Sequence, residues 1–199
     1  MSARRILIVQ GHPDASAPHL CHTLAQAYAD AARSAGHALR TVHVAALDFP
    51  LLRSQREWEQ GALPVTLQAA QDDIAWAEHL VFFFPLWLGD MPALLKAFLE
   101  QVARPGFAFK AADGQSDSPF KRKGLKGRSA RLVVTMGMPA FVYRWFFRAH
   151  SVRSLERNVL GFVGIAPVRA TLVGGVEQLG EAGIRQWQRK LQGLGAQAR

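Results

Sequence analysis

Three short strings of this chain combine residue types that could hold a ligand. The first is Gly11-His12-Pro13-Asp14-Ala15-Ser16-Ala17-Pro18-His19. A hydroxyl, two imidazoles and the free N–H groups of a following helix start form a donor set suited to phosphate. One glycine stands where a dinucleotide fingerprint has three, and no Gly-Lys-Ser/Thr follows, so this is neither a Rossmann nor a Walker loop. The plainer alternative makes Ser16 a helix cap and the histidines surface residues. The second string is Pro85-Leu86-Trp87-Leu88-Gly89-Asp90-Met91-Pro92. Loops are normally polar, so an apolar one needs a cover: a flat aromatic ligand, another loop or a second subunit. The third runs from Thr135 through Met136, Gly137, Met138 and Phe141 to Tyr143. Gly137 would let backbone approach a ligand and two hydroxyls flank it, while Met136, Met138 and Phe141 equally suit core packing.

These strings can meet only if the elements before them lie side by side. Residues 4–10 form a β-branched run and predict a first strand; 20–35 predict an alanine-rich helix stopped at Gly36. Alternation over 39–44 gives a second strand, followed by a short helix near 55–60 and another over 65–78. The apolar run 80–84 suits a central strand that Pro85 ends, with Asp90 placed to cap a helix reaching Val102. A polar loop over 104–128 precedes strands at 130–136 and 167–173, a mostly helical segment at 143–160, and an amphipathic helix at 179–194. Alternating strand and helix predicts one doubly wound α/β domain over 1–199, its parallel sheet covered on both faces. Such sheets bind ligands beyond the carboxyl ends of their strands, at the switch point in strand order. The three strings fall there.

Composition excludes several other classes. With 49% hydrophobic and 20% charged residues the chain has core enough to fold and is not of disordered type. No apolar run reaches membrane-spanning length, no signal-peptide cleavage pattern follows the first strand, and Cys21 is the only cysteine. A reducing cytoplasm is the expected location. The net charge of +9 calls for an anionic partner. The dense cluster Lys121, Arg122, Lys123, Lys126, Arg128 and Arg131 lacks interleaved aromatics and helix-turn-helix punctuation. It reads as a solvated loop, and no nucleic-acid partner is expected.

The strings also resemble a known family. Gly11-His12-Pro13-Asp14, Pro85-Leu86-Trp87 with Met91-Pro92-Ala93-Leu94-Leu95-Lys96, and Arg104-Pro105-Gly106-Phe107-Ala108-Phe109 are similar to the flavodoxin-like NAD(P)H:quinone oxidoreductases. That family includes DT-diaphorase, modulators of drug activity and the ancillary flavoproteins of potassium efflux systems. The resemblance implies a flavodoxin-like three-layer sandwich with five parallel strands in the order 2-1-3-4-5. It also implies a flavin whose phosphate sits against His12, Ser16, Ala17, Pro18 and His19. Ala17 and Pro18 depart from the family's usual Ser and Phe. The flavin ring would lie on Pro85, Leu86, Trp87 and Leu88, against a second loop of Thr135, Met136, Gly137 and Met138.

In the family a Tyr eight residues after that Thr, and a His six further on, assist charge transfer. Tyr143 matches; the histidine position holds Ala149, with His150 beside it. Larger members carry an extra C-terminal region for the adenine half of FAD, so FMN is expected here, with FAD still open. The implied reaction is ping-pong hydride transfer from NADPH or NADH to a quinone-type acceptor, in a homodimer. Two alternatives stay open: a regulatory flavoprotein contacting a potassium efflux transporter, which a basic surface suits, and a one-electron carrier.

Overall fold

The computed structural model describes residues 2–109 and 123–199. Lys121 and Arg122 of the expected basic cluster lie outside the described residues. Five strands make the sheet: β1 (Arg5–Gln10), β2 (Ala38–His43), β3 (His79–Pro85), β4 (Ser129–Thr135) and β5 (Val168–Val173). They are all parallel and ordered β2-β1-β3-β4-β5, as the resemblance implied. The chain leaves β1 for one edge and then crosses back over it to β3. The switch point therefore lies between β1 and β3.

Strand alternation builds two cores. Leu7, Val9, Leu80, Phe82, Leu132 and Val134 face α3 (Val65–Trp76) and α4 (Ala93–Val102). Ile6, Ile8, Val81, Phe83, Val133 and Val173 face α1 (Leu20–Ser34) and α8 (Gly180–Ala196). All seven residues of β3 are buried, as its uninterrupted apolar run predicts for a strand covered on both sides. α1 stops as expected: Gly36 has φ +83°, its N–H reaches the Arg33 carbonyl, and the His37 N–H reaches Ala32. The short α2 (Gln55–Gln60) is capped by the Ser54 hydroxyl. Buried Arg104 fastens α2 to α4 by donating to the Glu57 and Gly61 carbonyls, both at 2.7 Å.

Three sequence expectations need correcting. The helix expected over 143–160 is broken: α5 (Ala140–Trp145) ends early, and Arg148 and Ala149 are both left-handed, with φ 52° and 48°. The chain resumes as α6 (His150–Ser154), a π-helical turn (Leu155–Leu160) and α7 (Gly161–Val163). No Gly or Pro marks the break; the Ala149 N–H bonds instead to the Tyr143 carbonyl. Asp90 does not cap α4, whose N-cap is Pro92. Its carboxylate takes the Met91 N–H at 2.7 Å. Nor is the basic cluster all solvated loop. Arg128 donates to the Ile74 and Ala75 carbonyls at the end of α3, where the helix dipole favours a cation, and Arg131 is buried within β4. Among the described residues no helix is long and apolar enough to cross a membrane.

Candidate functional site

The loops after β1, β3 and β4 emerge on one edge because these strands are neighbours in register. Gln10 pairs with Phe83 and Pro85 with Thr135. The Gly11 N–H extends the ladder to the Phe83 carbonyl at 2.8 Å. A Cβ on Gly11 would stand 2.7 Å from Leu95 Cδ2, so any larger residue would displace that side chain of α4.

Asp14 organises the first loop. Its Oδ1 accepts from the Ser16 N–H at 2.8 Å and the Ser16 hydroxyl at 2.5 Å, while Oδ2 lies 2.7 Å from His19 Nε2. The Ser16 hydroxyl, its N–H and His19 hold this exposed carboxyl well below the usual carboxylate range. His12, mostly buried, stacks on His19 with ring centroids 3.8 Å apart, and its Nδ1 lies 3.2 Å from both the N–H and the carbonyl of Asp14. Burial and the neighbouring His19 lower the His12 pKa, so its ring favours the neutral form. His22 is lowered for the same reasons, and its Nδ1 takes the His19 N–H at 3.2 Å. The His22 N–H turns back to the His19 carbonyl at 2.9 Å, which leaves the Leu20 and Cys21 N–H groups at the start of α1 without a backbone carbonyl among the described residues. The loop is thus a compact imidazole cluster at a helix start, able to receive an anion.

Ser16 stands where the sequence placed it, but its hydroxyl already donates to Asp14. Asp14 and His22 are the residues that motif reading passed over as site members. An Asp two positions before a Ser is an Asx-turn signal that could have found the first.

The second loop turns tightly. The Trp87 N–H bonds the Asp90 carbonyl at 2.9 Å and the Asp90 N–H returns to Trp87 at 3.0 Å. Leu88 and Gly89 between them have φ 48° and 82°. Two positive values make a primed turn, which suits Gly89 and strains Leu88. Trp87 is half-exposed and Leu88 fully exposed, whereas Pro85 is buried and Leu86 partly so. Trp87 sits edge-on to His12 with centroids 5.8 Å apart, which joins the imidazole cluster to the apolar turn.

The third loop contributes less than its sequence suggests. The Thr135 hydroxyl lies inside, 3.1 Å from Cys21 Sγ, and Met136 is buried in the core. Burial pushes the Cys21 thiol up to about 11, so it is inert at neutral pH. Gly137 is exposed and Met138 half-buried at the edge. Tyr143 is buried; its hydroxyl lies 2.6 Å from Ser151 Oγ and accepts the Val152 N–H at 3.3 Å, fixing the start of α6. His150 is exposed on the first turn of that helix. In the segment before it Phe141, Trp145, Phe146 and Phe147 are exposed, an unusual density of aromatic surface.

A cavity of about 640 Å³ lies on the far side of the first loop, between α1 and β2, and includes Ala15, Ser16, Ala17, Pro18 and His22. Trp87, Leu88 and Gly137 are not in its wall, so the apolar turn forms an open shelf instead of a pocket. The chemistry concentrates on the shelf and the imidazole cluster beside it, and geometry ranks these above the volume of the groove.

Comparison with known proteins agrees with this fold. The model of the flavodoxin-like fold family matches residues 4–194. A protein of Haemophilus influenzae described as an uncharacterized NAD(P)H oxidoreductase is 29% identical over 117 residues, 58% of this chain and 55% of that relative. An FMN-dependent NADH:quinone oxidoreductase of Bordetella petrii is 31% identical over 112 residues, 56% of this chain and 50% of the relative. The chain thus spans about half the length of these curated relatives. Among solved structures, the NAD(P)H:quinone oxidoreductase of Methanothermobacter marburgensis superposes with a TM-score of 0.79 at 22% identity, covering 100% of both chains, a likeness of fold. By sequence match and by strand order alike, this chain belongs to the flavodoxin-like fold family.

Proposed function

We propose that this protein is a flavin-dependent oxidoreductase that takes reducing equivalents from NAD(P)H and delivers them to quinone-type acceptors, with FMN as its flavin. One observation carries the reading: the apolar Trp87–Leu88 turn stands beside the His12–His19 stack at the β1/β3 switch point. A phosphate-accepting cluster next to an uncovered aromatic shelf suits a ligand with an anionic tail and a flat apolar ring. The names of the relatives, which include FMN-dependent NADH:quinone oxidoreductases, point to the same ligand.

The donor set fits the group. The phosphate would be held by the loop of His12, Ser16, Ala17, Pro18 and His19, with the free N–H groups of α1. Pro85, Leu86, Trp87 and Leu88 would carry the ring, with Thr135, Met136, Gly137 and Met138 at its side as backbone. When bound, the flavin supplies hydride acceptance from a nicotinamide and hydride donation to an acceptor. The protein's own part is to bind, orient and keep water out. Trp87 and Leu88 offer the apolar plane; Asp14 holds Ser16 and His19 in place. Tyr143 is assigned a positioning role, because Ser151 and the Val152 N–H enclose its hydroxyl. Exposed His150 would take the role the resemblance implies for the family's histidine, assisting charge transfer.

Reductant and acceptor use the same shelf in turn, a ping-pong order. A second copy of the chain would complete the site by covering the shelf and the aromatic surface of Phe141, Trp145, Phe146 and Phe147. Varying NADPH and a benzoquinone together should give parallel reciprocal rate plots. Intersecting lines would overturn the shared shelf, and a His150→Ala variant with undiminished quinone turnover would remove that residue from the reading.

A further inference from the structure

At the amino-terminal edge of the sheet, cations outnumber carboxylates. Arg4 precedes β1, His79 opens β3, Ser129 opens β4, Arg169 lies in β5 and Arg199 follows α8; together they line a cavity of about 210 Å³. Register places His79 opposite Ser129 and Arg131 opposite Arg169, so these side chains share the face covered by α1 and α8. β3 is seven residues long, which sets this edge roughly 20 Å from the candidate site.

Among the described residues, none of Arg4, Arg131, Arg169 and Arg199 forms an ion pair. The neighbouring acid, Glu78, is held by the Arg5 N–H at 3.0 Å and the Arg5 guanidinium at 3.6 Å. Arg131 is buried with the Thr171 hydroxyl as its partner at 2.7 Å, and a buried cation with no counter-charge is unfavourable. Three buried polar atoms on this face have no partner: Arg131 Nε, His79 Nε2 and the Tyr28 hydroxyl. Such atoms are nearly always satisfied in native proteins. Of the three, His79 lies in the cavity wall, whereas Arg131 and Tyr28 sit outside it. His79 Nδ1 lies 2.8 Å from the Ser129 hydroxyl; when that hydroxyl donates, Nε2 carries the ring proton and becomes a donor to the cavity. Burial, with Arg4 and Arg131 nearby, brings the His79 pKa to about 4, so the ring is neutral at neutral pH.

We propose that this cavity binds a small tetrahedral oxyanion of the phosphate class, held by Arg4, Arg169 and Arg199, with Ser129 and His79 in its wall. Guanidinium forks match such an ion in geometry and charge. At about 30 Å³ per water in the liquid, the cavity has room for the ion and part of its hydration shell. The same chemistry serves a free phosphate or the phosphate end of an ester. The site is separate from the flavin reading and does not depend on it.

The test is calorimetric titration of inorganic phosphate into the full chain, in chloride buffer of constant ionic strength, with and without FMN. An Arg4→Gln/Arg169→Gln variant, both exposed positions, should weaken binding tenfold or more. An Arg53→Gln/Arg56→Gln variant removes the same charge far from the cavity and should leave binding as it is. Unchanged binding in the first variant overturns the proposal. Equal loss in both overturns it too, because attraction would then be diffuse. Competition by FMN would place the phosphate in the loop after β1 and also overturn it. Phenyl phosphate binding as tightly as phosphate identifies an ester end; exclusion of the phenyl compound identifies the free ion.

Discussion

The two edges of the sheet use the same residue types to opposite effect. At the carboxyl edge a histidine, a serine and an acid close on one another: Asp14 receives both Ser16 and His19, and the loop keeps its shape without help. At the amino edge a histidine meets a serine and several arginines, while the neighbouring acid, Glu78, is taken up by Arg5. His79, Arg131 and Tyr28 keep unpartnered atoms. One carboxylate makes the difference. An edge built around an acid is self-contained and presents its remaining donors in a fixed frame. An edge with cations in excess is complete only with an anion from outside.

The largest effect expected from this contrast is acid sensitivity at the amino edge. His79 titrates near 4 when folded, against about 6.5 for an ordinary histidine. Between those values the unfolded chain takes up a proton that the folded chain refuses. The stabilisation is therefore complete above about pH 6.5, is lost as pH falls, and levels off below about pH 4. The loss attributable to this residue is about 3 kcal/mol. Urea midpoints in chloride buffer should fall across that window, and His79→Gln should flatten the fall. An equally steep fall in the variant would place the sensitivity elsewhere and weaken the contrast.

A smaller effect is expected on the carboxyl edge. Trp87→Ala removes a half-exposed aromatic whose contact with a ring ligand is worth about 1 kcal/mol or somewhat more. Flavin affinity should drop roughly tenfold, while the urea midpoint stays put. A variant that unfolds more easily but binds flavin normally would show that Trp87 serves packing. The smallest effect belongs to Leu88. Its left-handed backbone costs about 1–2 kcal/mol for an ordinary residue, and glycine's extra freedom cancels part of the gain. Leu88→Gly should stabilise the flavin-free protein by about 0.5 kcal/mol and still weaken flavin. A destabilised variant would show that the turn is not strained.

Much of this was readable in the residues. Periodicity and turn chemistry located β3 from its apolar run and the end of α1 from Gly36, and the expected short helix at 55–60 is α2. The three candidate strings do emerge together, because β1, β3 and β4 are parallel neighbours in the order that the resemblance implied. What escaped was direction. Spacing puts Thr135 and Tyr143 near the edge, but their hydroxyls turn inward, to Cys21 and to Ser151. A charge run in sequence says nothing of depth, so Arg131 read as solvated when it is buried. The break at Arg148 and Ala149 has no Gly or Pro to announce it; tertiary packing around Tyr143 imposes it. Asp14 was visible in its motif, yet its role as pivot depends on contacts two and five residues away.

The account stands most directly on whether the carboxyl edge holds a flavin. The deciding measurement is the visible spectrum of the purified protein after incubation with FMN and removal of the excess, with the released cofactor identified. The account predicts a yellow protein with flavin absorbance near stoichiometric amounts, bleached on adding NAD(P)H. A colourless protein that fails to retain either FMN or FAD would contradict it.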